Sequence, residues 1–180
     1  MRADPEGELN ADPHVWLDPA RYIEIVRATG EALAQQDPGN AATYGANADA
    51  FVAQLETLSQ RFTDVLSTCR QRLLVTGHEA FGYLADAYGL EQVGVAGVSP
   101  EAEPTPAHLA QVRDLVEQRG VTTIFAEAQL PPDAVETIAS ETGAAVSVLD
   151  PIESASPELG DYRARMERNL QALREGLDCA

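Results

Sequence analysis

The sequence contains no lysine, so all of its positive side chains are arginines. Asp and Glu number 29 against 12 for Lys and Arg together, which gives a formal net charge of −17 at pH 7. Proteins bind nucleic acids largely through cationic side chains on the phosphates, so this charge argues against a nucleic-acid partner. A chain this acidic is better suited to binding a cation.

The sequence also lacks a long hydrophobic run. No stretch reaches the roughly 18 consecutive apolar residues of a membrane-spanning helix, so we expect no such span. A signal peptide begins with basic residues followed by an apolar stretch. The opening residues here, MRADPEGELNADP, are acidic, so we expect no signal peptide within this chain. At 180 residues, 44% of them hydrophobic, the chain is long enough to bury a core. Its length predicts one domain and part of a second.

Several catalytic and nucleotide-binding motifs are missing: GxGxxG, the P-loop, GxSxG and HExxH. There are only two cysteines, Cys69 and Cys179, and they lie too far apart for a zinc ribbon or a redox CxxC pair. Two interpretations of these cysteines stay open. They are buried free thiols, or they form a disulfide in an oxidising compartment, worth on the order of 4 kcal/mol because the closed loop is long.

Hydrophobic periodicity predicts two helices followed by alternating strands and helices. The first two helices span residues 19–36 and 41–67, and the second of them is long with one apolar face. Downstream we predict strands at 72–76, 92–96, 121–126 and 145–149 and helices at 80–88, 106–119, 132–142 and 159–177. This alternation predicts an α/β fold: a Rossmann-like lobe with a four-stranded, mainly parallel sheet and helices on both faces, preceded by a long helix.

Polar residues that could bind a metal follow three of the predicted strands. His78, Glu127 and Asp150 come directly after strands, and open parallel sheets bind ligands outside the carboxyl ends of their strands. A fourth residue, His14, lies in DPHVWLDP, where two prolines stiffen the backbone and can aim a side chain.

We therefore predict His14, His78 and Asp150 as metal ligands, with Glu127 holding His78 in one tautomer. Two imidazoles and one carboxylate suit zinc or another borderline transition ion better than magnesium or calcium. Each residue also has a simpler explanation: His78 could cap the following helix, and Asp150 before a proline could be a turn residue.

Five segments in order resemble a known family: DPHVWLDP, TGHEAFGYLADAYGL, GVAGVSPEAEPTPAHL, TTIFAEAQL and VLDPI. They are similar to the zinc and manganese solute-binding proteins of ABC transporters, the TroA-like superfamily, and within it to the ZnuA-like zinc receptors. The resemblance implies two α/β lobes bridged by a long rigid helix, with the metal in the cleft between them.

The resemblance also implies site residues. His14 matches the ligand histidine just before the interlobe helix, His78 the ligand after the first strand of the second lobe, and Asp150 the carboxylate after a later strand. Manganese receptors typically have glutamate at the position of His78, so the family comparison favours Zn²⁺ over Mn²⁺. Some zinc receptors contain similarly paired cysteines, which supports a disulfide between Cys69 and Cys179.

The family's first ligand histidine belongs to an amino-terminal lobe that this chain does not contain. We expect a carboxy-terminal portion of a receptor, in which residues 1–18 are a remnant of the first lobe and its loop. Residues 19–68 would then be a helical linker that includes the interlobe helix, and residues 69–180 the metal-binding lobe. Without the first lobe, we expect apolar surface to be exposed on the linking helix and the chain to self-associate.

The expected function is that of a receptor rather than an enzyme. It would be periplasmic, or extracellular and membrane-anchored, capture zinc and deliver it to an ABC permease. One alternative is a zinc-dependent hydrolase with Glu127 or Glu79 as general base, because two histidines, a carboxylate and an open position also describe such a site. The other is an adhesin or partner-binding lobe with a structural metal.

Overall fold

A computed structural model describes residues 12–98, 104–127, 133–155 and 157–180. Two helices come first, α1 (Pro19–Gln36) and α2 (Ala41–Leu66). Strands and helices then alternate in the order β1 (Leu73–Thr76), α3 (Gly82–Tyr88), β2 (Glu91–Gly94), α4 (Pro106–Arg119), β3 (Thr123–Glu127), α5 (Asp133–Thr142), β4 (Ala145–Leu149) and α6 (Tyr162–Gly176). Short 3-10 turns at Val15–Leu17, Pro38–Asn40 and Pro157–Leu159 connect some of them.

The four strands form one sheet in the order β2-β1-β3-β4, and every pairing is parallel. Helices α4 and α5 pack on one face of the sheet and bury a core with β1 and β3. Helices α2, α3 and α6 pack on the opposite face over a second core. The predicted α/β fold with a four-stranded parallel sheet and helices on both faces is therefore confirmed.

Helix α1 begins where the sequence predicts. Asp18 is extended, its side chain accepts a hydrogen bond from Ala20 N at 3.0 Å, and Pro19 occupies the first helical position. Helix α2 has 26 residues, so it is about 39 Å long. Its buried side chains fall into two groups. Val52 and Leu55 cluster with Ile23 of α1. The others pack into the core over the sheet: Leu58, Phe62 and Leu66.

The α1–α2 pair also carries exposed apolar surface. A groove between the two helices is lined by Ile25, Leu33 and Phe51 among others, and the side chains of Ile25 and Leu33 are 39% and 45% exposed. Within the described part of the chain, no helix combines the length and apolar character that crossing a membrane requires.

Cys69 and Cys179 are joined by a disulfide. Cys69 follows α2 and Cys179 follows α6, and their backbones also pair in a short antiparallel bridge. The bridge ties the end of α2 to the end of the chain, so the free-thiol interpretation is wrong.

Two helix starts differ from the prediction. Helix α3 begins at Gly82 rather than at residue 80, with Phe81 as its N-cap, so His78 is not at the capping position. Helix α6 begins at Tyr162 rather than at residue 159, because the Asp161 side chain accepts a hydrogen bond from Ala164 N at 2.8 Å and caps the helix there. Residues 1–11 of the predicted remnant and residue 132 of the predicted α5 lie outside the described residues.

Candidate metal centre

His14 is fixed by the residues beside it. Asp12 Oδ1 accepts hydrogen bonds from the backbone N of His14 at 3.0 Å and lies 2.8 Å from its Nδ1. Tyr83 of α3 in turn donates to the carbonyl oxygen of Asp12 at 3.2 Å. The imidazole is 2% exposed, and its Nε2 remains to face the interior of the site.

His78 follows β1 and is held by the end of β3. Its backbone N donates to Glu127 Oε1 at 2.8 Å, and its Nδ1 lies directly against Glu127 Oε2. Both side chains are buried, and that of His78 has no exposed surface. Each histidine of the site thus has a carboxylate behind its Nδ1.

The two Nε2 atoms meet a third possible ligand, Glu153. The Nε2 atoms of His14 and His78 are 3.4 Å apart, and Glu153 Oε1 lies 2.8 Å from the first and 3.6 Å from the second. Of the His, Cys, Asp and Glu side chains that the structure describes, these form the one group of three with ligand atoms mutually within 4.8 Å. The Glu153 side chain is 34% exposed, so the group is open to solvent on that side.

These distances match the size of a zinc ion. Zinc binds imidazole nitrogen at about 2.0–2.1 Å, so two ligand atoms of a tetrahedral ion lie about 3.3–3.4 Å apart. Two sides of the observed triangle, 3.4 and 3.6 Å, are close to that value. The third, 2.8 Å between His14 Nε2 and Glu153 Oε1, is a direct hydrogen bond. A small movement of Glu153 would therefore complete three corners of a tetrahedron.

Asp150, the carboxylate predicted from the strand end, does not belong to this group. Its Oδ2 accepts from Arg165 Nε at 2.5 Å and its Oδ1 from Arg165 Nη2 at 2.6 Å. The Asp150 Oδ1 atom also accepts from the backbone N of Ile152 at 2.9 Å. This fork with Arg165 turns the carboxylate toward α6 and away from the histidines, and Glu153 stands where the prediction had put Asp150.

Charge interactions shift two pKa values in the region in opposite directions. Burial alone would lower the pKa of His14, but the hydrogen bonds to Asp12 and Glu153 favour the imidazolium and raise the pKa above its ordinary value of 6.5. Burial would raise the pKa of Asp150, but the Arg165 guanidinium outweighs it and holds that pKa below the ordinary value of 3.8. The metal-free site thus attracts a proton at His14, and Asp150 stays ionised.

Sequence reasoning located His14, His78 and Glu127 near one another but missed Glu153 and Asp12. Asp12 carried a signal, because it stands two residues before a candidate ligand and a carboxylate commonly supports a ligating imidazole. We identify no sequence signal that would have pointed to Glu153. It lies four residues beyond the end of β4, past a turn whose direction the sequence does not indicate.

The chain is similar in sequence and structure to known zinc-binding proteins. The zinc-binding lipoprotein AdcA of Streptococcus pneumoniae is 37% identical over 171 residues, which are 93% of this chain and 34% of that protein. The Zn(II)-bound ZnuA-like domain of AdcA from the same species superposes with a TM-score of 0.80 at 37% identity, covering 99% of this chain and 67% of the other.

The laminin-binding protein of Streptococcus agalactiae, described as bifunctional with adhesin and metal-transporting activity, gives a TM-score of 0.91 at 35% identity. That match covers 98% of this chain and 67% of the other. The chain therefore spans about a third of the curated relative and about two thirds of the two solved chains. The profile of the family described as zinc-uptake complex component A, periplasmic, matches residues 2–176, and the chain belongs to this ZnuA family.

Proposed function

We propose that the chain is the zinc-capturing part of an extracytoplasmic receptor that hands Zn²⁺ to an ABC permease, with His14, His78 and Glu153 as ligands. One observation carries this proposal. Two buried imidazoles and one carboxylate converge with Nε2 and Oε1 atoms 2.8 to 3.6 Å apart, and two of the three distances are close to the spacing of ligand atoms around zinc. Membership of a zinc-uptake family supports it, and the zinc-binding lipoprotein AdcA supports a location outside the cytoplasm.

In this proposal Asp12 and Glu127 orient the two imidazoles. Asp12 would accept the Nδ1 proton of His14, and Glu127, whose Oε2 lies against the Nδ1 of His78, would do the same there. This leaves each Nε2 lone pair free for the ion and makes each imidazole a better donor. Asp12 also accepts from the backbone of His14, and Glu127 from the backbone of His78. Both rings are therefore fixed in direction before the ion arrives.

Three ligands leave a zinc ion one open position, which we propose is filled by water in this chain. In a receptor that has both lobes, a histidine of the amino-terminal lobe would fill it, as the family resemblance implies, and residues 19–68 would link the two lobes. Self-association through the exposed groove between α1 and α2 stays a prediction, which sedimentation over a range of concentrations would test.

An open position on zinc also suits a hydrolase, but the surroundings favour a receptor. In the hydrolase alternative, Glu127 or Glu79 would act as general base and take a proton from the metal-bound water. Both oxygens of Glu127 are directed at His78, one at its backbone N and one at its Nδ1. We therefore propose that the site binds and releases zinc without catalysis.

The carboxylate ligand is tested by replacing Glu153 with glutamine. Loss of a partner behind a zinc ligand typically costs about 10–100-fold in affinity, so we expect Glu153→Gln, which changes a ligand itself, to cost at least that much. Competition against a fluorescent zinc chelator measures the change. Glu158→Gln is the matched control, because Glu158 is an exposed carboxylate five positions further on. Equal affinities for the parent and Glu153→Gln would contradict the assignment of Glu153.

Zinc affinity should fall as the solution becomes more acidic. The ion requires a neutral imidazole, and the raised pKa of His14 means that protons compete for its Nε2 already above pH 6.5. Below that pKa, affinity falls by about tenfold per pH unit for each proton that binding must displace. In Asp12→Asn we expect the fall to begin at lower pH, because a carboxylate that favours the imidazolium is gone. An affinity that stayed flat from about pH 8 to pH 5 would contradict histidine ligation.

A further inference from the structure

The turn that carries Glu153 contains an unfavourable backbone conformation. Ile152 has a φ of +58°, in the left-handed region. A β-branched side chain is poorly tolerated there, because its Cβ crowds the following carbonyl oxygen. Such a conformation persists only where the surroundings impose it, and it often marks a functional position. Ile152 directly precedes the proposed ligand.

Arg165 of α6 holds this turn on both sides of Ile152. Its Nε and Nη2 donate to the carboxylate of Asp150, and its Nη1 donates to the carbonyl oxygen of Ser154 at 2.8 Å. Asp150 Oδ1 also accepts from the backbone N of Ile152 at 2.9 Å. Arg165 as a whole is only 4% exposed, so solvent competes little for these bonds.

Two further side chains fix the start of the turn. The Asn169 side chain accepts from Asp150 N at 2.9 Å and donates to Asp150 O at 2.7 Å, which fixes the backbone on both sides of the Asp150 Cα. Trp16 Nε1 donates to Pro151 O at 2.9 Å, and Tyr162 of α6 donates to Trp16 O at 2.7 Å. Because Trp16 lies two residues after His14, the turn and the His14 segment are joined directly.

We propose that the Arg165–Asp150 ion pair is a positioning device that holds Ile152 in its left-handed conformation and thereby places Glu153 on the two histidines. The inference rests on the proposed function, since it concerns how that site is preorganised. Without the ion pair, Ile152 relaxes to negative φ, the chain after it changes direction, and Glu153 leaves the site. Asp150 thus contributes to metal binding through Arg165 and the turn, without contacting the ion.

The proposal makes a specific prediction about glycine at position 152, because glycine adopts positive φ without the steric penalty. Arg165→Lys keeps the positive charge but loses the planar guanidinium that binds both carboxylate oxygens of Asp150. We therefore expect it to lower the affinity for Co²⁺, the probe that replaces zinc in this test, by about 10-fold. Adding Ile152→Gly to Arg165→Lys should recover about fivefold of that loss. The melting temperature without metal should fall further in the double variant, because Ile152 packs against the core and glycine does not.

Co²⁺ is the probe, since its visible spectrum reports the ligand set. At saturating cobalt we expect the spectrum of Arg165→Lys to shift toward that of Glu153→Gln, and the spectrum of the double variant to return toward the parent. Arg165→Met serves as a second variant that removes the charge entirely. Arg174→Met, on the exposed side of α6, is the control and should leave both spectrum and affinity unchanged.

If Arg165 only stabilised the fold, Arg165→Lys would have a lower melting temperature than the parent, but the folded variant would have the same cobalt spectrum. That result overturns the positioning role, and so does a double variant whose affinity follows its melting temperature downward. Failure of the proposed function looks different, because the parent itself would then bind neither cobalt nor zinc at the histidines.

Discussion

Replacing His14 and His78 together by alanine should abolish zinc binding by this chain. The two imidazoles supply two of the three converging ligand atoms, and Glu153 alone, with its side chain 34% exposed, is an ordinary surface carboxylate. Calorimetric titration of metal-free protein at neutral pH measures the effect. We expect a 1:1 isotherm for the parent and no heat of site binding for the double variant.

The third histidine provides a matched control. His108 lies on α4, its Nε2 is 2.9 Å from the carbonyl oxygen of Gly94, and it is not part of the converging group. His108→Ala should therefore bind zinc as the parent does. Binding that survived in the double variant but was lost in His108→Ala would place the site elsewhere and contradict the proposed function.

Removing the disulfide should have the largest effect on stability. Replacing Cys69 and Cys179 by alanine opens a loop with a sequence separation of 110, and the chain-entropy estimate for such a loop is about 5 kcal/mol. This is a large part of the roughly 5–15 kcal/mol by which domains are usually stable. Urea denaturation followed by circular dichroism measures the free energy of unfolding of both proteins.

The native geometry around the bridge should survive the substitution. Arg70 N donates to Asp178 O at 3.1 Å and Gln71 N to Leu177 O at 3.0 Å, so the two segments remain paired without the sulfurs. We choose alanine rather than serine because a serine hydroxyl without a hydrogen-bond partner would be unfavourable at the buried position of Cys69. The parent after mild reduction should resemble the double alanine variant. Equal unfolding free energies for the oxidised parent and the variant would contradict a stabilising role.

Local patterns were sufficient to predict the fold and part of the site. The helices and strands follow the apolar periodicity, and a parallel sheet brings strand ends to one edge, which is why His78 and Glu127 are neighbours. His14 could be added because the prolines around it predict a stiff segment. The start of α6 was predicted too early, because residues 157–159 continue the helical pattern while the cap is Asp161.

The choice between Asp150 and Glu153 could not be predicted from local patterns. A carboxylate at a strand end is an equally good metal ligand or partner for arginine, and the difference depends on Arg165, 15 residues away. The orientation of Glu153 depends on a positive φ at Ile152, and an isoleucine gives no sign of it, since this conformation is rare for β-branched residues. Both features arise only when α6 packs beside β4.

The position of the disulfide also determines how the molecule transmits mechanical force. Cys69 and Cys179 have Cα atoms 3.7 Å apart, so the sheet lobe between them is a closed covalent ring that begins and ends at one point. Tension applied between the start of α1 and residue 180 passes through the sulfur–sulfur bond and bypasses the ring. Under such a pull α1 and α2 would extend while the strands that carry His78 and Glu127 bear no load.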